Sequence, residues 1–255
     1  MPARFVTITL LLIASVQVLG APGVAYRVTI NRSEEAARTE EFSVIGSGNR
    51  LRASHTNAPE GAGVLYDSLI RPETSAVIAL NSRNHTWYPA PDVSPFALDS
   101  RYLTPSPTGK VKNVSVTLKP DDGSAPEHRY SGEIRYDVFV SYRTTTVKVS
   151  CVATFTLITT PAVARQHWVG RILPETGYTD VDAKLRAAEA TIHGFPVHLT
   201  LEARRTYTGG MPMVQSMTVE VSDIREASPD QSVFTRPADY HLQEPVRGYP
   251  GATRQ

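Results

Sequence analysis

Residues that could perform chemistry are present in this chain, but their spacing matches no catalytic or metal-binding motif. The seven histidines are scattered, and the sequence contains no Gly-x-Ser-x-Gly elbow, no His-Glu-x-x-His pair and no glycine-rich phosphate loop. His193 and His198 are close together, but they fall on either side of a predicted helix end and strand start, so they need not share a face. We therefore predict no catalytic residue, no metal ligand and no cofactor.

The single cysteine and the paired acids have structural explanations. Cys151 occupies the same alternating positions as Val149 and Ala153, which predicts a small buried side chain and not a reactive thiol. Asp180 and Asp182 stand at the start of a predicted helix, where the helix dipole favours carboxylates. A lone cysteine cannot form an internal disulfide, so the fold must depend on packing.

The elements that position these residues are mainly strands. Apolar and polar residues alternate through much of the chain, and a period of two is typical of strands with one buried face. The clearest runs are at 134–142, 147–157, 195–203 and 213–221. One apolar and one polar face predict an antiparallel sheet that is covered on one side. The expected fold is mainly β (α+β): a curved antiparallel sheet, or incomplete β-barrel, with one or two helices on its concave face.

One segment has helical spacing instead. In residues 179–194, Val181, Leu185, Ala188 and Ile192 recur at intervals that place them on one helix face. Thr179 with the acid three residues later resembles a capping box, and a glycine at 194 suits a helix C-terminus. A second, shorter helix is predicted at residues 94–102, because a serine can cap it and a proline fits its first turn.

The amino terminus has the pattern of a secretory signal. Arg4 precedes the apolar residues 5–19, and small residues follow up to Ala25. We expect a signal peptide at 1–25, with cleavage after Gly20 as the alternative, a single domain at 26–242 and a disordered tail at 243–255. The 26 basic residues include Arg4, so 25 basic and 25 acidic residues remain in the expected mature chain. This balance favours neither nucleic acid nor anionic lipid as a partner, and a periplasmic or secreted location is expected.

The order of segments resembles the LolA/LolB-like lipoprotein-carrier superfamily, in its broader branch of exported proteins. Two parts carry the resemblance: the helix that leads into Gly194-Phe195-Pro196 and a strand, and the ending TVEVSDIREASPDQSVFTRPADY. The resemblance covers roughly residues 26–242 in order of elements, and it implies an incomplete barrel whose apolar cleft can accept acyl chains. The residues expected to line that cleft are Tyr136, Val138, Val149, Phe155, Leu185, Ile192, Phe195, Leu199 and Met217.

Three functions remain open at this point. The first is an exported, non-enzymatic protein that binds a lipid or other hydrophobic ligand in the cleft. The second is a structural or interaction protein of the cell envelope with the same fold and a filled core, and the third is an unrecognised hydrolase. For the first, the expected partner is a hydrophobic small molecule or acyl chain, with no nucleic acid, at most transient membrane contact, and a monomeric state.

Overall fold

A computed structural model describes residues 23–33, 38–56, 67–72, 77–90, 103–106, 108–121, 126–168 and 170–243. These residues form one sheet whose strands, in chain order, are β1 (Gly23–Ser33), β2 (Arg38–Ser47), β3 (Arg50–His55), β4 (Ser68–Arg71), β5 (Ile78–Asn81), β6 (Thr86–Pro89), β7 (Lys110–Asp121), β8 (His128–Tyr142), β9 (Thr145–Thr160), β10 (Phe195–Tyr207), β11 (Pro212–Ala227) and β12 (His241–Leu242).

The spatial order of the strands is β12-β6-β5-β4-β3-β2-β1-β11-β10-β9-β8-β7. Neighbours are antiparallel except for the short parallel pair of β12 with β6. Strand β1 pairs with β11, so the first and penultimate strands meet in the middle of the sheet. The sheet is open and curved, which confirms the mainly β, incomplete-barrel fold expected from the sequence.

The alternation in sequence decides which face of each strand is buried. On β9, Cys151, Ala153 and Phe155 are at most 3% exposed, while Thr154 and Thr156 between and beyond them are exposed. The same period holds on β1 and β2, where Val28, Ile30, Phe42 and Val44 are at most 1% exposed. We name the face that carries these apolar residues the inner face and the opposite one the outer face.

The predicted helix forms, but it is shorter than expected. Helix α1 spans Thr179–Glu189. The predicted capping box is wrong: Tyr178 is the N-cap, and the Asp182 carboxylate accepts hydrogen bonds from the backbone N–H and the hydroxyl of Thr176, both at 2.8 Å. Ile192 was expected on the helix face, but it lies beyond the helix end and is buried there. Gly194, with φ of +83°, belongs to the turn into β10 and not to the helix terminus.

Two predicted segments lie wholly or mostly outside the described residues. The second helix, at 94–102, is one of them, and the tail at 243–255 is described only at Gln243, whose backbone N–H donates to the Trp87 carbonyl at 2.8 Å. Of the predicted signal segment, Gly23, Val24 and Ala25 are described, and they pair with β11 as the first residues of β1. Within the described residues, no helix is long and apolar enough to cross a membrane.

Candidate ligand-binding face

The inner face is one continuous apolar surface that runs from β1 and β2 to β8. All nine residues predicted to line a cleft belong to the same buried cluster. Their exposed fractions range from 0% to 3%: Tyr136 1%, Val138 0%, Val149 0%, Phe155 3%, Leu185 2%, Ile192 2%, Phe195 0%, Leu199 3% and Met217 1%. The fold therefore brings together residues that lie up to 81 positions apart in the sequence (Tyr136 to Met217), and it closes them against a cover.

The cover is formed by chain segments that cross the inner face. It includes α1, the described residues 161–168 and 170–178 with a short 3₁₀ turn at Arg165–His167, and residues 103–106. Leu103, Trp168 and Leu173 insert into the apolar cluster and are at most 4% exposed. The rings of Trp168 and Phe195 meet edge to face at 5.6 Å, an arrangement favoured between aromatic side chains.

Three buried tyrosine hydroxyls hold the cover in place: Tyr26 and Tyr136 join it to the sheet, and Tyr178 joins two of its own segments. Tyr26 donates to the carbonyl of His167 at 2.6 Å, Tyr178 donates to the carbonyl of Ser106 at 2.6 Å, and Tyr136 donates to the carbonyl of Leu103. Burial raises the pKa of Tyr178 to about 12 and raises those of the other two tyrosines further. All three phenols therefore remain protonated donors at physiological pH.

The cover is also tied to the far side of the sheet. Arg71 of β4 donates to the carbonyl of Asn49 at 2.9 Å, to that of Trp168 at 3.2 Å and to that of Gln166. Burial, followed by the charge of Arg71, lowers the pKa of His167, so this imidazole is neutral near pH 7.

Within the cover, one carboxylate organises the turn before α1. Glu189 accepts the backbone N–H groups of Ile172 at 3.1 Å and Leu173 at 3.3 Å, and it forms an ion pair with Arg165 at 3.3 Å. Arg165 also donates to the carbonyls of Glu189 and Ile192. These contacts satisfy backbone groups at the helix end and fix the loop that carries Trp168.

A glycine allows an aromatic ring to lie flat on the inner face. Gly132 of β8 pairs with Phe155 of β9, and a β-carbon at Gly132 would lie 2.2 Å from the ring Cζ of Phe155. The ring thus occupies the space above the neighbouring strand. This contact explains why the run of large apolar residues on β8 is interrupted between Tyr130 and Ile134.

One end of the inner face is polar. Arg32 and Glu40 form an ion pair at 3.6 Å with side chains only 9% and 10% exposed, and Arg32 also donates to the sulfur of Met217 at 3.3 Å. Gln215, on the next inward position of β11, is fully buried. The apolar surface therefore ends at β1, β2 and β11 in a buried charged and amide group.

A groove on the outer face is lined mainly by hydroxyl and charged residues, unlike the apolar inner face. It has a volume of about 570 Å³ and lies between two cross-strand rows of hydroxyl and charged side chains, represented by Thr156 and Thr200 on one side and Thr154 and Glu202 on the other. Phe155 and Met217 border it from between the rows, but their side chains are buried on the inner face. This groove is therefore a different surface from the apolar cleft that the sequence indicated.

The predicted burial of the cysteine is confirmed. Cys151 is 1% exposed, and burial raises the pKa of its thiol to about 11, against the lowering effects of Tyr136 and Arg205. Among the residues that the structure describes, no three histidine, cysteine or acidic side chains are grouped as metal ligands.

Sequence reasoning missed the polar end and the fastening of the cover. Arg32 follows Tyr26, Val28 and Ile30 at intervals of two, so the alternation on β1 carried a signal for an inward-facing arginine. No local pattern indicated that Tyr136 would reach Leu103, because that contact joins residues 33 positions apart in a crossing segment.

These observations define the class of fold: an open, curved antiparallel sheet with a helix and loops packed on its apolar face. No family model and no curated protein matches the chain. Solved structures do match it over most of its length. The chain is similar to the LolA superfamily protein NE2245 from Nitrosomonas europaea, at 10% identity, over 85% of this chain and 90% of that chain, with a TM-score of 0.29.

It is also similar to a domain assigned by name to outer membrane lipoprotein sorting, from Vibrio parahaemolyticus. There the identity is 8%, the match covers 84% of this chain and 89% of that chain, and the TM-score is 0.34. The function proposed below rests on the geometry of this chain's own inner face and cover.

Proposed function

We propose that this protein is an exported, non-enzymatic carrier that binds a lipid or another hydrophobic molecule between the inner face and its cover. The observation that carries the proposal is the continuity of the apolar face beneath a cover of short segments. The cover segments are fastened to the sheet through Tyr26, Tyr136 and Arg71 and take part in no strand pairing, so they can separate from the sheet without breaking any. The amino-terminal signal pattern supports export, with the periplasm or the space outside the cell as the expected location.

The energetics favour an acyl chain as the ligand. Each methylene moved from water to an apolar surface contributes about 0.8 kcal/mol, so about ten methylenes contribute about 8 kcal/mol. Releasing the hydrogen bonds from Tyr26 and Tyr136 to the cover costs about 1 kcal/mol each, and releasing those from the Arg71 guanidinium costs about 1.5–3 kcal/mol each, because hydrogen bonds to charged groups contribute more. The binding free energy that remains has to offset the apolar contacts that are lost when the cover leaves the sheet, such as those of Leu103.

The polar end of the inner face gives the ligand an orientation. Arg32, Glu40 and Gln215 offer charged and amide partners where the apolar surface ends. An amphiphile can place its chain on the apolar inner face and its polar group at this polar end. Both parts are then in a favourable environment.

Native mass spectrometry of the gently purified protein tests the proposal. We expect an adduct with the mass of a lipid, and saturable binding of a fluorescent long-chain fatty acid that oleate displaces. The tight packing of the nine predicted residues favours the second function, an envelope interaction protein with a filled core. That function predicts no adduct, no fatty-acid binding, and a protein partner recovered by cross-linking.

A tyrosine variant tests the role of the cover. Tyr178→Phe removes the hydrogen bond to Ser106 and leaves the ring in place, so we expect the fatty acid to associate about fivefold faster, in line with a loss of about 1 kcal/mol. Tyr207→Phe is the matched control, because Tyr207, at the end of β10, packs against Arg205 and the edge of the apolar cluster and belongs to none of the cover segments. Equal rates for both variants would contradict entry beneath this part of the cover.

A further inference from the structure

One end of the sheet carries exposed apolar side chains on a hairpin. The turn between β10 and β11 and the first residues of β11 present Met211, 88% exposed, Met213, 47% exposed, and Val214, 50% exposed. Large apolar side chains grouped at a protruding turn mark a contact surface more often than isolated ones do. We name Met211, Met213 and Val214 the hairpin tip.

The surroundings of the hairpin tip are basic. The described residues at this end of the sheet, 110–112, 135–152 and 204–214, contain seven basic side chains and one acidic one. The basic residues are Lys110, Lys112, Arg135, Arg143, Lys148, Arg204 and Arg205, and the acidic one is Asp137. Since the whole chain has 26 basic and 25 acidic residues, positive charge is concentrated at this end.

Some of this charge is locally paired. Asp137 binds Lys148 at 2.9 Å, and two acids just outside these ranges also pair with these basic residues: Glu133 with Arg135 at 3.0 Å and Glu202 with Arg204 at 4.0 Å. The β8–β9 turn, which carries Arg143, lies beside the hairpin tip, because the N–H of Thr208 donates to the Lys148 carbonyl at 3.1 Å. Apolar side chains and a basic rim therefore share one end of the molecule.

We propose that the hairpin tip docks onto an anionic lipid bilayer. Apolar side chains that enter the interface contribute by buried area, and a basic rim attracts anionic headgroups at about 1 kcal/mol per residue near the surface. The charge complementarity selects a bilayer over a second copy of this chain, because a second copy would bring its own basic rim into contact. This inference goes beyond ligand binding and does not depend on it.

The position of the hairpin tip links it to the inner face. Arg205 pairs in register with Met213 and donates to its sulfur at 3.2 Å, while Arg32 pairs in register with Met217 further along the same strand. The hairpin tip and the polar end of the inner face thus lie at the same end of β11. A docked protein would bring the polar end of its ligand-binding face toward the membrane.

Flotation with lipid vesicles tests the docking. We expect the purified mature protein to bind vesicles of phosphatidylglycerol and phosphatidylethanolamine, to bind phosphatidylcholine vesicles more weakly, and to lose affinity at high salt. Lipid charge and salt concentration are varied separately, so that the two contributions can be distinguished. No binding of the wild-type protein to either vesicle would overturn the proposal.

Two sets of variants locate the contact. Met211→Ser combined with Val214→Thr should reduce partitioning onto the anionic vesicles about tenfold. Ile224→Thr is the matched control, since Ile224 is a 40% exposed apolar residue toward the opposite end of β11, and it should bind as the wild type does. Equal losses for both changes, or wild-type binding by the double variant, would overturn the proposal. So would a wild-type dimer in size-exclusion chromatography that the double variant converts to a monomer.

Discussion

Replacing Gly132 with alanine tests how firmly the ring of Phe155 is held on the inner face. A β-carbon at Gly132 would lie 2.2 Å from Cζ and 2.6 Å from Cε1 of that ring, and 2.7 Å from the carbonyl oxygen of Thr117. Non-bonded carbon atoms prefer about 3.5–4.0 Å, so the ring has to move by roughly 1.5 Å. The contact with Thr117 is made by backbone, so strand β7 has to move as well.

The magnitude follows from two opposing effects. Overpacking a well-filled core costs about 1–3 kcal/mol, while replacing a strand glycine with alanine gains about 0.5–1 kcal/mol. We expect Gly132→Ala to lower the free energy of unfolding by about 1–2 kcal/mol. For a domain of this size each kcal/mol corresponds to about 2–4 °C, so the unfolding temperature should fall by roughly 2–8 °C.

A double variant separates the ring from the backbone contact. Phe155→Leu alone should cost about 1–2 kcal/mol, because it leaves part of the ring's volume unfilled. Combined with Gly132→Ala it should cost less than the sum, with a coupling of about 1 kcal/mol, since the shorter side chain no longer meets the new methyl group. Chemical denaturation of the four proteins gives these free energies.

The matched control is Gly210→Ala, at a position where φ is not in the left-handed region and the nearest heavy atom to a β-carbon is at 3.4 Å. This control should change the free energy of unfolding by at most about 0.5 kcal/mol. A Gly132→Ala protein as stable as the control, or strictly additive effects in the double variant, would refute the placement of the ring.

Two further predictions concern charged groups. Burial acts to raise the pKa of Asp137, but hydrogen bonds from Asn113, Lys148 and Ser150 outweigh it and hold the pKa below its usual range. Its contribution to stability is therefore complete above the ordinary aspartate pKa of about 3.9 and is lost as the pH falls through the lower folded-state value. Asp137→Asn should cost about 1 kcal/mol at pH 7, and the difference from wild type should shrink in acid denaturation below pH ~4. Glu40→Gln leaves the buried guanidinium of Arg32 without its carboxylate and should cost about 3 kcal/mol in urea denaturation.

Each of these has an exposed counterpart. Asp223→Asn removes an ion pair with Arg27 at 3.7 Å in which both side chains are more than half exposed, and it should have little effect at any pH. Glu202→Gln likewise alters a pair with Arg204 at 4.0 Å that is more than half exposed. If the buried and exposed variants were equally stable, the packing assigned to Asp137 and Glu40 would be incorrect.

The sequence predicts the faces of the strands well, because alternation is a local property. The alternation predicts one shared face for Val149, Cys151, Ala153 and Phe155, and all four are buried. The same alternation, continued one step further on β1, would have placed Arg32 inside. Helical spacing likewise identified α1, since Val181 and Leu185 face the core.

Contacts between residues that are distant in the sequence determine the features that the sequence did not predict. Ile192 fits the helical period, but the helix ends at Glu189, where Arg165 donates to the terminal carbonyls. Asp182 fits a capping box in sequence. Its carboxylate instead accepts a hydrogen bond from Thr176, because the preceding loop folds back on the helix start. Which segment covers the inner face depends on such contacts, and periodicity carries no information about them.

Photo-labelling with a diazirine-bearing fatty acid tests the central claim most directly, because it reports where a hydrophobic ligand lies. If the ligand binds beneath the cover, the labelled peptides will come from the inner positions of β9 and β10, such as Phe155 and Leu199, and from the cover around Leu185. Excess oleate will suppress this labelling. Labelling confined to the outer groove around Thr156 and Thr200, or none that oleate suppresses, would contradict the assignment of the inner face as the ligand-binding surface.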